Sequence, residues 1–73
     1  MKTVLIVDDS QIVLTLLEEK IKKVLNVTIL KALSYKEAVK HISEQDIIHI
    51  AILDINLPDA KEGQIIDYAI SKD

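Results

Sequence analysis

Cysteine, phenylalanine and tryptophan are all missing from this 73-residue chain, and glycine and proline occur once each. Without cysteine there is no disulfide and no thiolate zinc site to staple a small fold; a cysteine-free chain is consistent with a reducing cytoplasm. One glycine cannot furnish a dinucleotide fingerprint or a P-loop, so neither nucleotide-binding motif can be written here. No apolar run approaches the roughly 20 residues of a membrane span. Lys2 is followed by a short apolar run and then two aspartates, which is not a signal peptide. Positive charge is in the minority as well, with 9 Lys+Arg against 12 Asp+Glu and a net charge of −3. That argues against direct nucleic-acid binding, which draws on basic stripes. With tyrosine as the sole aromatic type, the core must be aliphatic.

What is present suits one small domain, residues 1–73. Chains of this size bury only about 60% of their unfolded surface. Thr3–Val7 is a β-branched run ending in charge, the pattern of a buried strand. Ser10 can cap a helix reaching about Leu25, with Asn26 as its stop. Val13, Leu16, Leu17, Ile21 and Val24 predict its inward stripe, with Lys20, Lys22 and Lys23 on a solvated face. Val27–Lys31 reads as a second strand. Ser34 and Glu37 have the spacing of a capping box for a second helix to about Gln45, with Ala38, Val39 and Ile42 inward. Ile47 through Leu53 predicts a third strand, and Asn56–Gly63 a loop punctuated by Pro58 and Gly63. Ile65, Ile66, Ala69 and Ile70 fit one face of a last helix. His41 and His49 are expected to be structural or solvated, and Tyr35 and Tyr68 to be half-buried packing residues.

A β-α-β-α-β-α order with near-continuously apolar strands implies a parallel sheet covered on both faces. If the second right-handed crossover reverses direction, the first strand is central and the order is 2-1-3. The first helix then covers one face and the other two helices cover the opposite one. Asp8 and Asp9 follow the first strand and Asp54 follows the third. Neighbouring strands lie about 4.8 Å apart, so the three carboxylates should converge at the switch point, where open α/β sheets bind ligands. Such a cluster must hold a proton or recruit a cation. Its all-oxygen donor set suits a hard ion such as Mg²⁺, which typically brings a substrate phosphate with it. One carboxylate is then free to act as a nucleophile.

"VLIVDDS" at residues 4–10 and "AILDINLPDAKEG" at residues 51–63 together resemble the receiver domain of two-component response regulators. The acidic pair, the strand-ending Asp and the Pro four residues later match jointly. The resemblance implies a flavodoxin-like doubly wound α/β fold, of which this chain would be the N-terminal three βα units. It implies that Asp54 accepts a phosphoryl group from a sensor histidine kinase, a phosphotransfer protein or a small phosphodonor. The transfer is self-catalysed, and the chain is not an enzyme in the ordinary sense. Asp9 would hold Mg²⁺ directly, Asp8 through water, and the backbone carbonyl of Asn56 would be a further ligand. Pro58 and Gly63 would shape the loop. Receivers have five such units; the switch Ser/Thr and the Lys of their later units have no counterpart here, and Lys61 lies on the wrong loop.

Each residue also has a plainer reading. Asp8 and Asp9 alone could be solvated carboxylates near a helix N-terminus, and Asn56 only a turn former. A phosphatase using Asp-x-Asp after the first strand would need a second Asp where Ser10 stands. The alternative retained is a pseudo-receiver, an interaction module without the chemistry. The "IAIL" run, Ile50–Leu53, is expected at an exposed sheet edge, which predicts a homodimer through that edge or through the uncovered sheet face.

Overall fold

The computed structural model describes residues 1–72. Strands and helices alternate as β1 (Lys2–Val7), α1 (Gln11–Val24), β2 (Val27–Ala32), α2 (Tyr35–Glu44), β3 (Ile50–Leu53) and α3 (Gln64–Lys72). The strands form one parallel sheet in the order β2-β1-β3. The architecture is thus α/β, with the 2-1-3 order expected, consistent with a truncated flavodoxin-like domain. Val4 pairs with Ile29 of β2 and Ile50 of β3, and Val7 with Ala32 and Leu53. β1 is central, and Val4–Val7 are all buried.

Successive strand side chains point to opposite faces. Val4 and Ile6 therefore meet Leu14 of α1 on one side, while Leu5 and Val7 join Ala32, Ala38, Leu57 and Ile65 on the other. The reversal between the first and second crossovers puts α1 alone on its face and α2 with α3 on the opposite face. Tyr35 and Tyr68 tie those two helices together, edge to face at 6.4 Å and 77°; both are half-buried, as expected.

Helix starts follow the predicted chemistry. Ser10 caps α1 by accepting from the Val13 N–H at 3.3 Å, and Ser34 caps α2 by accepting from the Glu37 N–H at 3.2 Å. The capping box is displaced by one residue: the Glu37 carboxylate accepts from the Leu33 N–H, 3.2 Å away, rather than from that of Ser34. α1 ends at Val24, and Leu25 in extended geometry caps it, its N–H making the last bond, to the Ile21 carbonyl, just before Asn26.

Three differences from the expected pattern have physical causes. On α1 the buried stripe is Leu14, Leu17 and Ile21, whereas Val13, Leu16 and Val24 are 37%, 51% and 78% exposed. α1 packs against β1 and β2, and Glu18 on its flank is tethered to Lys31 of β2 at 3.0 Å. That seat turns the opposite apolar flank outward, since the helix carries a wider apolar face than the strands beneath it can cover. β3 begins at Ile50 rather than Ile47. The His49 imidazole Nδ1 accepts the Thr3 N–H at 3.0 Å, taking the donor that an earlier β3 carbonyl would need, while the His49 N–H bonds to the Thr3 carbonyl at 2.9 Å. On α3, Ile65 is buried but Ile66 and Ile70 are exposed, because α3 packs against α2 and leaves its far side open.

Candidate metal centre

The site is built at the C-terminal ends of β1 and β3. The Asp8 N–H donates to the Ala32 carbonyl at 3.1 Å and the Asp54 N–H to the Val7 carbonyl at 3.0 Å, so the ladder carries both residues just past their strands. Each then closes an identical local turn. Asp8 Oδ1 accepts from the Ser10 N–H at 2.9 Å, and Asp54 Oδ1 accepts from the Asn56 N–H at 2.9 Å. A short Asp side chain favours this bond to its own backbone two residues on. It engages one oxygen of each carboxylate and leaves the other without a protein partner among the described residues.

Asp8, Asp9 and Asp54 each offer an oxygen within 4.8 Å of the other two. Asp8 and Asp54 are half-buried and Asp9 is exposed. No basic group balances them: among the described residues the ion pairs are those of Glu18, with Lys31 at 3.0 Å and Lys22 at 3.4 Å. Lys31 holds the Glu18 carboxyl below its ordinary range. Oxygens bound trans on one Mg²⁺ lie about 4.2 Å apart and on one Ca²⁺ about 4.6–5.2 Å. A limit of 4.8 Å on all three separations admits a hard divalent ion among the oxygens. The donor set, carboxylate oxygen throughout, fits the same class.

The chain matches no protein-family model, no curated protein and no solved structure. Its chemistry has to be argued from the residues and their geometry.

The remaining sequence candidates fall as follows. Asn56 follows Asp54 in the Asx turn, exposed. Pro58 is exposed beside Leu57, which plugs the core at 3% exposure. Gly63 closes the base of the loop, its N–H donating to the Ile55 carbonyl at 2.9 Å. Its φ of +76° is a left-handed conformation that glycine adopts without strain. A Cβ there would meet nothing within 4 Å, so the requirement is the backbone angle, not space. Lys61 is exposed, and its N–H bonds to the Gln64 side chain. The histidines stand apart: the His41 Nε2 lies 3.0 Å from the Lys31 carbonyl, and His49 is held by Thr3. A cavity lined by Ile48, His49 and Ile70 among others lies where β3 begins, at the opposite end of the sheet from the three aspartates.

Two residues that anchor the loop beside the cluster escaped the sequence reading. Leu57 anchors the loop from below, and its signal was an apolar residue in an otherwise polar loop. Asp59 anchors it from the side. Its Oδ1 accepts from the Tyr35 N–H at 2.8 Å and its Oδ2 from the Lys36 N–H at 3.0 Å. These bonds, that to Lys36 first, hold its carboxyl below the ordinary value. No local signal could reveal it, because its partners lie 24 and 23 residues away.

Proposed function

We propose that the chain is a phosphoacceptor of the receiver type, with Asp54 as the acceptor and Asp8, Asp9 and the Asn56 carbonyl as holders of Mg²⁺. The observation carrying this reading is the meeting of Asp8, Asp9 and Asp54 within 4.8 Å at the switch point of the 2-1-3 sheet. Bound there, the ion would supply positive charge to phosphoryl oxygens. Asp54 does the covalent work. Its free carboxylate oxygen attacks the phosphorus of the donor, an O–P bond forms as the donor's N–P or O–P bond breaks, and the electron pair stays on the leaving group, an imidazole nitrogen that takes up a proton or a carboxylate that leaves as the anion. The Asn56 N–H bond to Oδ1 fixes the carboxylate plane and leaves the other oxygen to attack. In this reading the donor is a sensor histidine kinase, a phosphotransfer protein or a small acyl phosphate, and the setting is cytoplasmic. No helix among the described residues is long and apolar enough to cross a membrane.

One observation favours a second reading. No lysine neutralises the cluster among the described residues, and a folded module that binds a partner without accepting phosphate needs none. Acetyl phosphate with Mg²⁺ separates the two. An acid-stable, hydroxylamine-labile label on Asp54, forming slowly and lost in Asp54→Asn, is expected. No label after prolonged exposure overturns the acceptor role and leaves the interaction module.

A further inference from the structure

We propose that Asp59 is a positioning residue, whose carboxylate clamps the loop bearing Asp54 and Asn56 to the first turn of α2, so that loop and helix start open and close together. An α-helix leaves its first four amides without partners inside the helix. In α2 the Ala38 N–H makes the first regular helical bond, to the Ser34 carbonyl at 3.0 Å; ahead of it the amides of Tyr35 and Lys36 go to Asp59 at 2.8 and 3.0 Å and that of Glu37 to the Ser34 side chain. Two of these three first-turn amides therefore take their partner from a loop more than twenty residues on. Seen from the loop, Asp59 is the third of three fastenings. The Gly63 N–H closes the base on the Ile55 carbonyl, Leu57 fills the core against the cluster that contains Ala38 and Ile65, and Asp59 pins the tip.

Only the last of these joins the loop to a helix end by hydrogen bonds. The Ala60 N–H, next to Asp59, bonds back to the Leu57 carbonyl at 3.2 Å. Loosening Asp59 thus leaves the run from Leu57 to Ala60, directly beside Asn56, held by the burial of Leu57 and this one local bond. Tyr35, whose amide Asp59 holds, carries the ring that meets Tyr68 of α3 edge to face. The clamp lies where a change at Asp54 can reach α2 and α3 without any residue beyond Lys72.

Ser34 supplies the control, since it caps the same helix without touching the loop. Hydrogen exchange by NMR on the 73-residue chain compares Asp59→Ala with Ser34→Ala. Asp59→Ala should raise exchange about five- to tenfold at Tyr35 and Lys36, and by a similar factor at Ala60 and Gly63, as loss of a cap would. Ser34→Ala should raise it at Glu37 and leave Ala60 and Gly63 unchanged. If the loop amides move in both variants or in neither, the clamp is refuted. Should Asp59→Ala lose protection in β1 as well, Asp59→Asn decides, because it keeps one accepting oxygen and should show the same pattern at smaller amplitude; a loop unaffected in Asp59→Asn then refutes the clamp. A second arm rests on the proposed function: Mg²⁺ affinity, read from the Asp8 and Asp54 amide shifts, should fall in Asp59→Ala and not in Ser34→Ala. An unaltered chain that fails to bind Mg²⁺ overturns that function, while the exchange pattern still judges Asp59. A chain that binds Mg²⁺ equally in all variants overturns the positioning role.

Discussion

Asp54→Asn should make the metal-free chain more stable and its response to Mg²⁺ smaller. The substitution removes one of three like charges but keeps an oxygen able to accept the Asn56 N–H bond. The three carboxylates have oxygens within 4.8 Å of one another. At that distance two unit charges repel by about 0.9 kcal/mol in bulk water and about 3.5 kcal/mol at an effective dielectric of 20. Asp9 is exposed and Asp8 half-buried, so the water-like value governs the first pair and is a lower bound for the second. Discounting for the structural relaxation open to exposed side chains, relief of both pairs is worth about 1–2 kcal/mol. In a domain of this size each kcal/mol raises Tm by roughly 4–8 °C. Mg²⁺ reverses the comparison. Free ion at about 100 times its Kd stabilises the unaltered chain by about 2.7 kcal/mol, whereas the variant, left with two carboxylates, gains far less. The assay is thermal unfolding followed by circular dichroism, at low ionic strength where screening is weak, first in EDTA and then over a Mg²⁺ series. Asp46→Asn, at an exposed bend remote from the cluster, is the control and should change neither value. A variant less stable than the unaltered chain in EDTA would show that Asp54 is not repelled where it stands. Equal Mg²⁺ stabilisation of the two would place the ion elsewhere.

The seat of α1 can be checked by truncation: Leu14→Ala should cost about 2–5 kcal/mol and Leu16→Ala less than about 0.5 kcal/mol in urea unfolding, and the opposite order would restore the stripe read from periodicity. Asp59 has its carboxyl held below its ordinary value by the Lys36 and Tyr35 amides; its stabilisation is therefore present above the unfolded pKa of about 3.9 and lost as pH falls through the lower folded value. The stability gap between the unaltered chain and Asp59→Asn should accordingly be widest near neutrality and close in acid, and a gap that widens in acid contradicts the bonds. β3 is a four-residue edge without a charge or proline, and Ile50 and Ile52 on it are 49% and 41% exposed, so a second copy is expected to pair there; light scattering should show a dimer that Ile52→Lys returns to monomer, and a monomer persisting at high concentration refutes it.

Element order and topology were legible because two periods alternate along the chain. The runs Val4–Val7 and Ile50–Leu53 are apolar without a helical gap, and one right-handed reversal admits few arrangements. The rotation of α1 was not legible. Leu14 and Leu16 both fall on plausible apolar faces, and the choice between them is made where Leu14 packs on Val4 and Ile6 of β1, with Glu18 reaching Lys31 of β2 on the flank. Nor could the start of β3 be read. Ile47 is as apolar as Ile50, but the His49 imidazole intercepts the Thr3 amide and pairing begins only after it.

The same division runs through the site. Asp8, Asp9 and Asp54 could be placed together because strand order alone brings their backbones side by side, and their turns are local, each closed within three residues. What holds the loop beside them could not be placed, since Asp59 acts on amides supplied by α2 and an amide has no residue identity to recognise. The electrostatic state of the site was also invisible. A count of charges gives −3 for the chain, yet Lys2 stands at the opposite end of β1 from the first acidic pair, Lys20, Lys22 and Lys23 lie toward the far end of α1, and two of the chain's lysines are engaged by Glu18. The fold thus gathers negative charge at one end of the sheet and spends its ion pairs elsewhere. Among the described residues no lysine forms an ion pair with the three carboxylates, and the EDTA and Mg²⁺ comparison of Asp54→Asn discriminates between an ion at the cluster and none.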